Sequence, residues 1–93
     1  MEFDWDPAKD DANRRKHGFG FELAVRAFKG QCLTLPARSV GREARSMTIG
    51  RIEELLVVTV VHTDRHGRTR LISARPASRL EREIFHGFEA RET

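Results

Sequence analysis

The stretch "ELLVVTVVH", Glu54 to His62, constrains the fold more than any other part of the chain. From Leu55 to His62 the residues are β-branched or apolar with hardly a break. A strand with one wet face alternates apolar and polar side chains, so continuous apolarity means that both faces are covered and the strand is central to its sheet. Its neighbours must come from the rest of the chain. "QCLTLP" is a short strand that ends at Pro36, which suits an edge position. "ARSVGREA" is polar and turn-like, and "RSMTIG" is a second strand ending at Gly50. After the central strand, the His-Gly pair of "TDRHGR" marks a turn, and "TRLISA" returns as the other arm of a hairpin.

Helical signals flank the strands on both sides. Asp6-Pro7 supplies an N-cap and a proline at the first helical position. That helix runs to His17 and stops at Gly18, a residue that takes the left-handed conformation at no steric cost. Arg14, Arg15, Lys16 and His17 in its last turn suit the negative end of the helix dipole whether or not they do anything else. Phe3 and Trp5 precede it as anchors to the core. Phe21, Ala24, Val25 and Phe28 then fall at i, i+3, i+4 and i+7, a second helix closed by Gly30. After Pro76, Ala77, Leu80, Ile84 and Phe88 form an apolar stripe, with Arg75, Arg79, Arg82 and His86 on the opposite side. The expected fold is α+β: two N-terminal helices, a small antiparallel sheet of three to four strands and a C-terminal helix, in one domain over residues 1–93.

Charge narrows the choice of partners. The chain carries 17 Lys and Arg against 14 Asp and Glu, and the imbalance is uneven, since residues 1–13 hold five acids and one lysine. The basic remainder is mostly arginine, which makes planar, bidentate contacts to phosphate and stacks on bases. Such a body favours a polyanion or an acidic protein partner. No apolar run approaches a membrane span, and the acidic start "MEFDWDPAKDD" has no signal-peptide core. The single cysteine, Cys32, can form no internal disulfide, and it reads as a small buried hydrophobe. A cytoplasmic protein is expected.

The chemistry-bearing residues exclude several classes. The four histidines, at 17, 62, 66 and 86, share no helical face and have no carboxylate at ligand spacing, so no metal or other cofactor is expected. No phosphate-cradling glycine loop and no serine or cysteine nucleophile signature occurs. RNA cleavage needs less, because the nucleophile, a ribose 2′-OH, is part of the substrate. A proton acceptor, a proton donor and cations around the phosphorane suffice. Lys16-His17, the segment His62 to Arg70, and the segment Arg75 to Arg82 offer these groups, with Glu43 and Arg45 between strands.

Taken together, "FDWDPAKDDANRRKHGFGFELAVRAF", "REARSMTIG", "LLVVTVVHTDR" and "RTRLISARPASRLERE" resemble the BrnT family from Phe3 to Glu83, in the same order. Phe3, Trp5, Asp6, Lys9, Asn13, Lys16, His17 and Gly18 match its opening pattern, followed by Phe21-Glu22. Glu43, Arg45, Ile49 and Gly50 match its middle block, and Ile72, Ser73, Arg75, Ala77, Glu81 and Arg82 its closing one. The resemblance implies a ribonuclease toxin of a bacterial type II toxin–antitoxin pair, with a fold similar to RelE-type ribonucleases and metal-independent cleavage of RNA. It implies neutralisation by a BrnA-type antitoxin, whose dimer binds operator DNA and makes the toxin a co-repressor only indirectly.

On this reading Lys16, His17, Arg75, Arg79 and Arg65 are the candidate catalytic residues, and Glu43, Arg45, His62, Arg70 and Arg82 the candidate RNA contacts. If the helices coat one face of the sheet, the other keeps a groove rimmed by Arg65, Arg70, Arg75 and Arg79, open to RNA or to an acidic antitoxin segment. The alternative is a non-catalytic, arginine-rich module that binds RNA or an acidic peptide and acts by occupancy alone.

Overall fold

A computed structural model describes residues 1–92. The chain runs β1 (Phe3–Trp5), α1 (Pro7–His17), α2 (Phe21–Ala24) continued by a 3₁₀ turn (Val25–Phe28), β2 (Cys32–Val40), β3 (Glu43–Glu53), β4 (Leu56–Arg65), β5 (Arg68–Pro76) and α3 (Arg79–Glu92). The sheet order is β1-β5-β4-β3-β2, which puts the apolar strand β4 in the centre, as its composition requires. Val58, Thr59 and Val60 are fully buried. Among the described residues no helix is long and apolar enough to cross a membrane.

The sheet has five strands rather than three or four, and it is mixed rather than purely antiparallel. Phe3 and Trp5 are not only anchors: they belong to β1, which pairs in parallel with Thr69, Arg70 and Leu71 of β5. The segment "ARSVGREA" is no long turn either. β2 runs on through Pro36 to Val40, and β3 starts at Glu43 after a tight reversal at Gly41, where φ is +60°. Pro36 is tolerated because β2 is the edge strand, where a missing N–H costs no ladder bond on the solvent side. The β4–β5 hairpin closes at His66-Gly67, both with positive φ, which matches the right-handed twist of the arms.

Helices pack on both faces, not on one. Phe21, Ala24 and Ala27, with Phe19, cover Val58, Val60, Leu71, Ala74 and Ile52 on one face. Phe85 and Phe88 of α3 cover Ile49, Val57, Leu33 and Leu35 on the other. The stripe of α3 is therefore displaced from Leu80 and Ile84, which are 65% and 40% exposed, to Ala77, Glu81, Phe85 and Phe88. The reason is a polar anchor: Glu81 accepts hydrogen bonds from Thr59 and Arg75 on the sheet, which fixes the helix rotation. Cys32 is half-buried rather than enclosed, and burial raises its thiol pKa.

Local capping explains the turns between the first helices. Asp6 Oδ1 accepts from Ala8 N, and Gly18, at φ +83°, ends α1 with its N–H on Arg14 O. α2 has no cap of its own at Gly20. Asp10 of α1 reaches across instead, and its Oδ1 accepts from Phe21 N at 2.7 Å. Gly50 lets the 3₁₀ turn touch the sheet, because a Cβ there would collide with the backbone carbonyl of Ala27. Gly50→Ala is therefore expected to cost about 1–3 kcal/mol, the usual penalty of overpacking, read as a lower urea midpoint. An unchanged midpoint would show that the turn can lift off the sheet freely.

Candidate active site

The strand registers assign the candidate residues to faces. On the α3 side, the row Arg45, Thr63, Arg70 and Asp4 crosses β3, β4, β5 and β1, and Glu43 and Arg65 stand at its outer end. The next row inward is Met47, Val61 and Ser73, all partly exposed, and beyond it α3 begins to cover the sheet. Arg75 follows on β5, opposite Thr59. A strip with an apolar floor thus lies between arginines on either side.

Each of these arginines is held by a carboxylate. Glu43 accepts from Arg65 at 2.8 Å and from Arg45 at 3.4 Å, and these bonds keep its pKa below the usual carboxylate range. Arg70 faces Asp4 at 3.5 Å; Asp4 Oδ1 is buried and accepts no hydrogen bond. Arg75 makes a bidentate pair with Glu81, at 2.6 and 2.8 Å. Glu81 also accepts from Ser78 N, while Ser78 Oγ accepts from Glu81 N, so Ser78-x-x-Glu81 is a capping box that starts α3. Arg75 first, then Ser78 N and Thr59, hold the Glu81 carboxyl down to about 2. A guanidinium fixed on one edge keeps its other N–H groups aimed outward, which is the preorganisation that phosphate recognition uses.

Three expected members, Arg79, Arg82 and His62, lie away from this strip. Arg79 is 88% exposed and pairs along the helix with Glu83. Arg82 donates to Ala77 O and so tethers α3 to the end of β5. His62 falls on the opposite face, where its Nε2 meets Thr48 Oγ1 at 2.8 Å and its ring meets Phe28 edge-on. Burial lowers its pKa.

Lys16 and His17 line a separate cavity of about 270 Å³ between α1 and β5, with Lys9, Asn13, Ile72 and Ser73. It exists because β1 stops at Trp5 and leaves the edge of β5 free beyond Leu71. A bulge at Ile72, between the pairs Val61–Ser73 and His62–Leu71, turns that edge toward α1. Asn13 then takes the place of the missing strand: its Oδ1 accepts from Ala74 N, and its Nδ2 donates to Phe19 O. Nothing in the sequence singled out Asn13 for this role, since its partners lie 6 and 61 residues away. The role of Glu81 was more accessible, through the Ser78-x-x-Glu81 spacing. Ser73 belongs both to the arginine strip and to the Lys16–His17 cavity, so the two meet at the β5 edge. Among the described residues no three His, Cys, Asp or Glu side chains come together at metal-binding distances.

A five-stranded mixed sheet with helices on both faces is also the fold of a known small toxin. The crystal structure of the ribonuclease toxin BrnT from Brucella abortus aligns with it at a TM-score of 0.68 and 26% sequence identity, over 85% of this chain and 99% of that one. Residues 5–81 match the family described as ribonuclease toxin, BrnT, of type II toxin-antitoxin system. Among curated proteins no sequence matches it. The chain belongs to the BrnT family: it is a ribonuclease toxin of a type II toxin–antitoxin system, a class that implies an antitoxin partner.

The Arg75–Glu81 pair gives a pH-dependent expectation. Because folding lowers the Glu81 pKa to about 2, its contribution to stability is complete above its ordinary value, 4.5, and is lost as pH falls toward 2. Glu81→Gln is expected to cost about 2 kcal/mol at pH 7, the scale of hydrogen bonds to a charged group. It is also expected to flatten the acid limb of a urea-midpoint against pH plot. An acid limb identical to that of the parent would contradict this.

Proposed function

We propose that the chain cleaves single-stranded RNA without a metal, at the place where the arginine strip meets the cavity of α1. The observation that supports this most is the shared position of Ser73. A strand laid over Met47 and Val61 passes between Arg45, Arg65 and Arg70 on one side and Arg75 on the other, then reaches Lys16 and His17 over the free edge of β5.

The ribose 2′-OH attacks the adjacent phosphorus while His17 accepts its proton. The bond to the 5′-oxygen breaks, and the Lys16 ammonium supplies a proton to that leaving oxygen. Products are a 2′,3′-cyclic phosphate and a 5′-hydroxyl. Arg75 and Arg65 contribute most to the charge that grows on the phosphorane, because their carboxylate partners hold them in place before the substrate arrives. Arg45 and Arg70 position the strand, with Glu43 orienting two of the arginines. Arg79 and Arg82 serve as peripheral cations at the start of α3, and His62 meets the RNA on the far side of the sheet.

The antitoxin, of BrnA type, covers the same strip with an acidic, amphipathic segment, and its own dimer carries the toxin to operator DNA as a co-repressor. Opposite charge on the two surfaces speeds the encounter, with an on-rate that falls as salt rises.

Cleavage of a labelled single-stranded RNA in EDTA tests the chemistry. Arg75→Ala, Arg65→Ala and His17→Ala are each expected to slow cleavage by about 10²–10⁴-fold, with circular dichroism unchanged. Parent rates in all three, or loss of activity in EDTA by the parent, would place the reaction elsewhere. Amide exchange on the toxin–antitoxin complex tests the second part. Protection is expected at Met47, Val61 and Ser73, and protection confined to Asp4–Asp11 would mean that inhibition is indirect.

A further inference from the structure

A second cavity, of about 360 Å³, opens where β3 starts and β4 ends, lined mainly by residues of the face opposite the arginine strip and reaching Glu43 and Thr63 at its border. Its walls include Arg42, Ser46, His62 and Asp64, together with Glu43. Glu43 is already committed to Arg45 and Arg65. Among the described residues, the Arg42 guanidinium, the Ser46 hydroxyl, the Asp64 carboxylate and Nδ1 of His62 have no hydrogen-bond or ion-pair partner. Every arginine around the strip has a carboxylate, whereas this cavity gathers polar groups with unused capacity. Its size sits at the small end of ligand pockets, enough for one nucleoside but not for a folded segment.

The imidazole of His62 is built in as a fixed wall. Phe28 packs edge-on against it at 5.1 Å, and a chain of hydroxyls runs from Nε2 through Thr48 to Thr34, each link 2.8 Å. In the tautomer where Thr48 donates to Nε2, the neutral ring carries its proton on Nδ1, the nitrogen without a protein partner. Desolvation lowers the His62 pKa and outweighs the nearby Asp64 carboxylate, which raises it, so the neutral ring is favoured at pH 7. The cavity then offers N–H and O–H donors from His62 and Ser46, and a pair of acceptor oxygens from Asp64.

Among the four bases, only guanine presents two neighbouring donors, N1–H and the N2 amino group, beside an acceptor, O6. A carboxylate takes both donors at once, while adenine, cytosine and uracil each present it with a donor at only one position on that edge. Unpaired bases are read in this way, by their Watson–Crick edge, with Arg or His planes for stacking. We infer that this cavity receives one unpaired guanine of the RNA, Asp64 accepting from N1–H and N2–H, His62 and Ser46 donating to O6, and Arg42 lying against the base or its phosphate. This rests on the RNA-cleavage reading above. It adds a specificity site, joined to the arginine strip through Glu43, so that the chain cuts at a short fixed distance from a guanine.

Two measurements on the full chain test it. In the first, single-stranded RNAs that differ at one position (guanine, inosine or adenine) are cleaved by the parent and by Asp64→Asn. Asparagine keeps the shape but replaces one acceptor by a donor, which meets the guanine N2 amino group head-on. The parent is expected to cut the guanine RNA about tenfold or more faster than the adenine RNA, the scale of a bidentate base contact, with inosine between them. Asp64→Asn is expected to bring the three rates within about threefold of one another.

Equal parent rates on all three, or a preference that survives Asp64→Asn, would overturn the inference. In the second, guanosine 3′-monophosphate is titrated against the protein while the His62 imidazole resonances are followed by NMR. A shift with guanosine but not adenosine 3′-monophosphate, lost in Asp64→Asn, supports the site even if no RNA is cut, in which case only the cleavage reading fails. No selective shift overturns it.

Discussion

Burial of β4 on both faces is the constraint on which the rest of the structure depends. Val57 to Val60 must be kept from water above and below, and the described residues offer α1, α2 with its 3₁₀ turn, and α3 to do it with. One face is covered by α2 and the 3₁₀ turn, brought close by Gly50. The other is covered by α3 only as far as Leu33, Leu35, Ile49 and Val57. The shortfall leaves Met47, Val61 and Ser73 partly exposed. The surface proposed for cleavage is the part of the sheet that the helices do not reach.

The charges around that surface are ordered rather than merely abundant. The acidic start of the chain, which reads as a separate patch in the sequence, is folded back onto β5: Glu2 pairs with Arg68 and Asp4 with Arg70. Farther along, Glu43 and Glu81 do the same for Arg65 and Arg75. Pairing weakens the field that the arginines project, but it restricts the direction of their remaining donors. For a site that must meet a phosphorane rather than a ground-state phosphate, fixed direction contributes more than excess charge.

The central strand, the β4–β5 hairpin, α1 with its caps and the position of α3 were all legible, because each depends on neighbours close in sequence. The errors have one origin. β1 was missed because three residues carry no periodicity of their own, and they become a strand only by pairing with β5 some 66 positions away. The face of α3 is ambiguous in the sequence because, beside Ala77 and Phe88, Leu80 and Ile84 fit an apolar stripe as well as Phe85 does. What chose between them was the bond from Glu81 to Thr59 and Arg75, which no helical period can reveal. Asn13 was invisible as the residue that replaces a strand at the β5 edge, although its match to the family pattern marked it.

By itself the sequence determined the fold class, the centre of the sheet and the family, because burial pattern, turn chemistry and motif spacing are local properties read along the chain. It also supplied a set of candidate residues, though not their arrangement. Only the tertiary structure decided that Arg45, Arg65, Arg70 and Arg75 share a face, that His62 looks the other way, and that Lys16 and His17 meet the arginine strip at Ser73. The physical reason is the two-residue period of a strand. A single-residue bulge such as that at Ile72 reverses which side chains face which side, and its position is set by pairing partners far away in sequence.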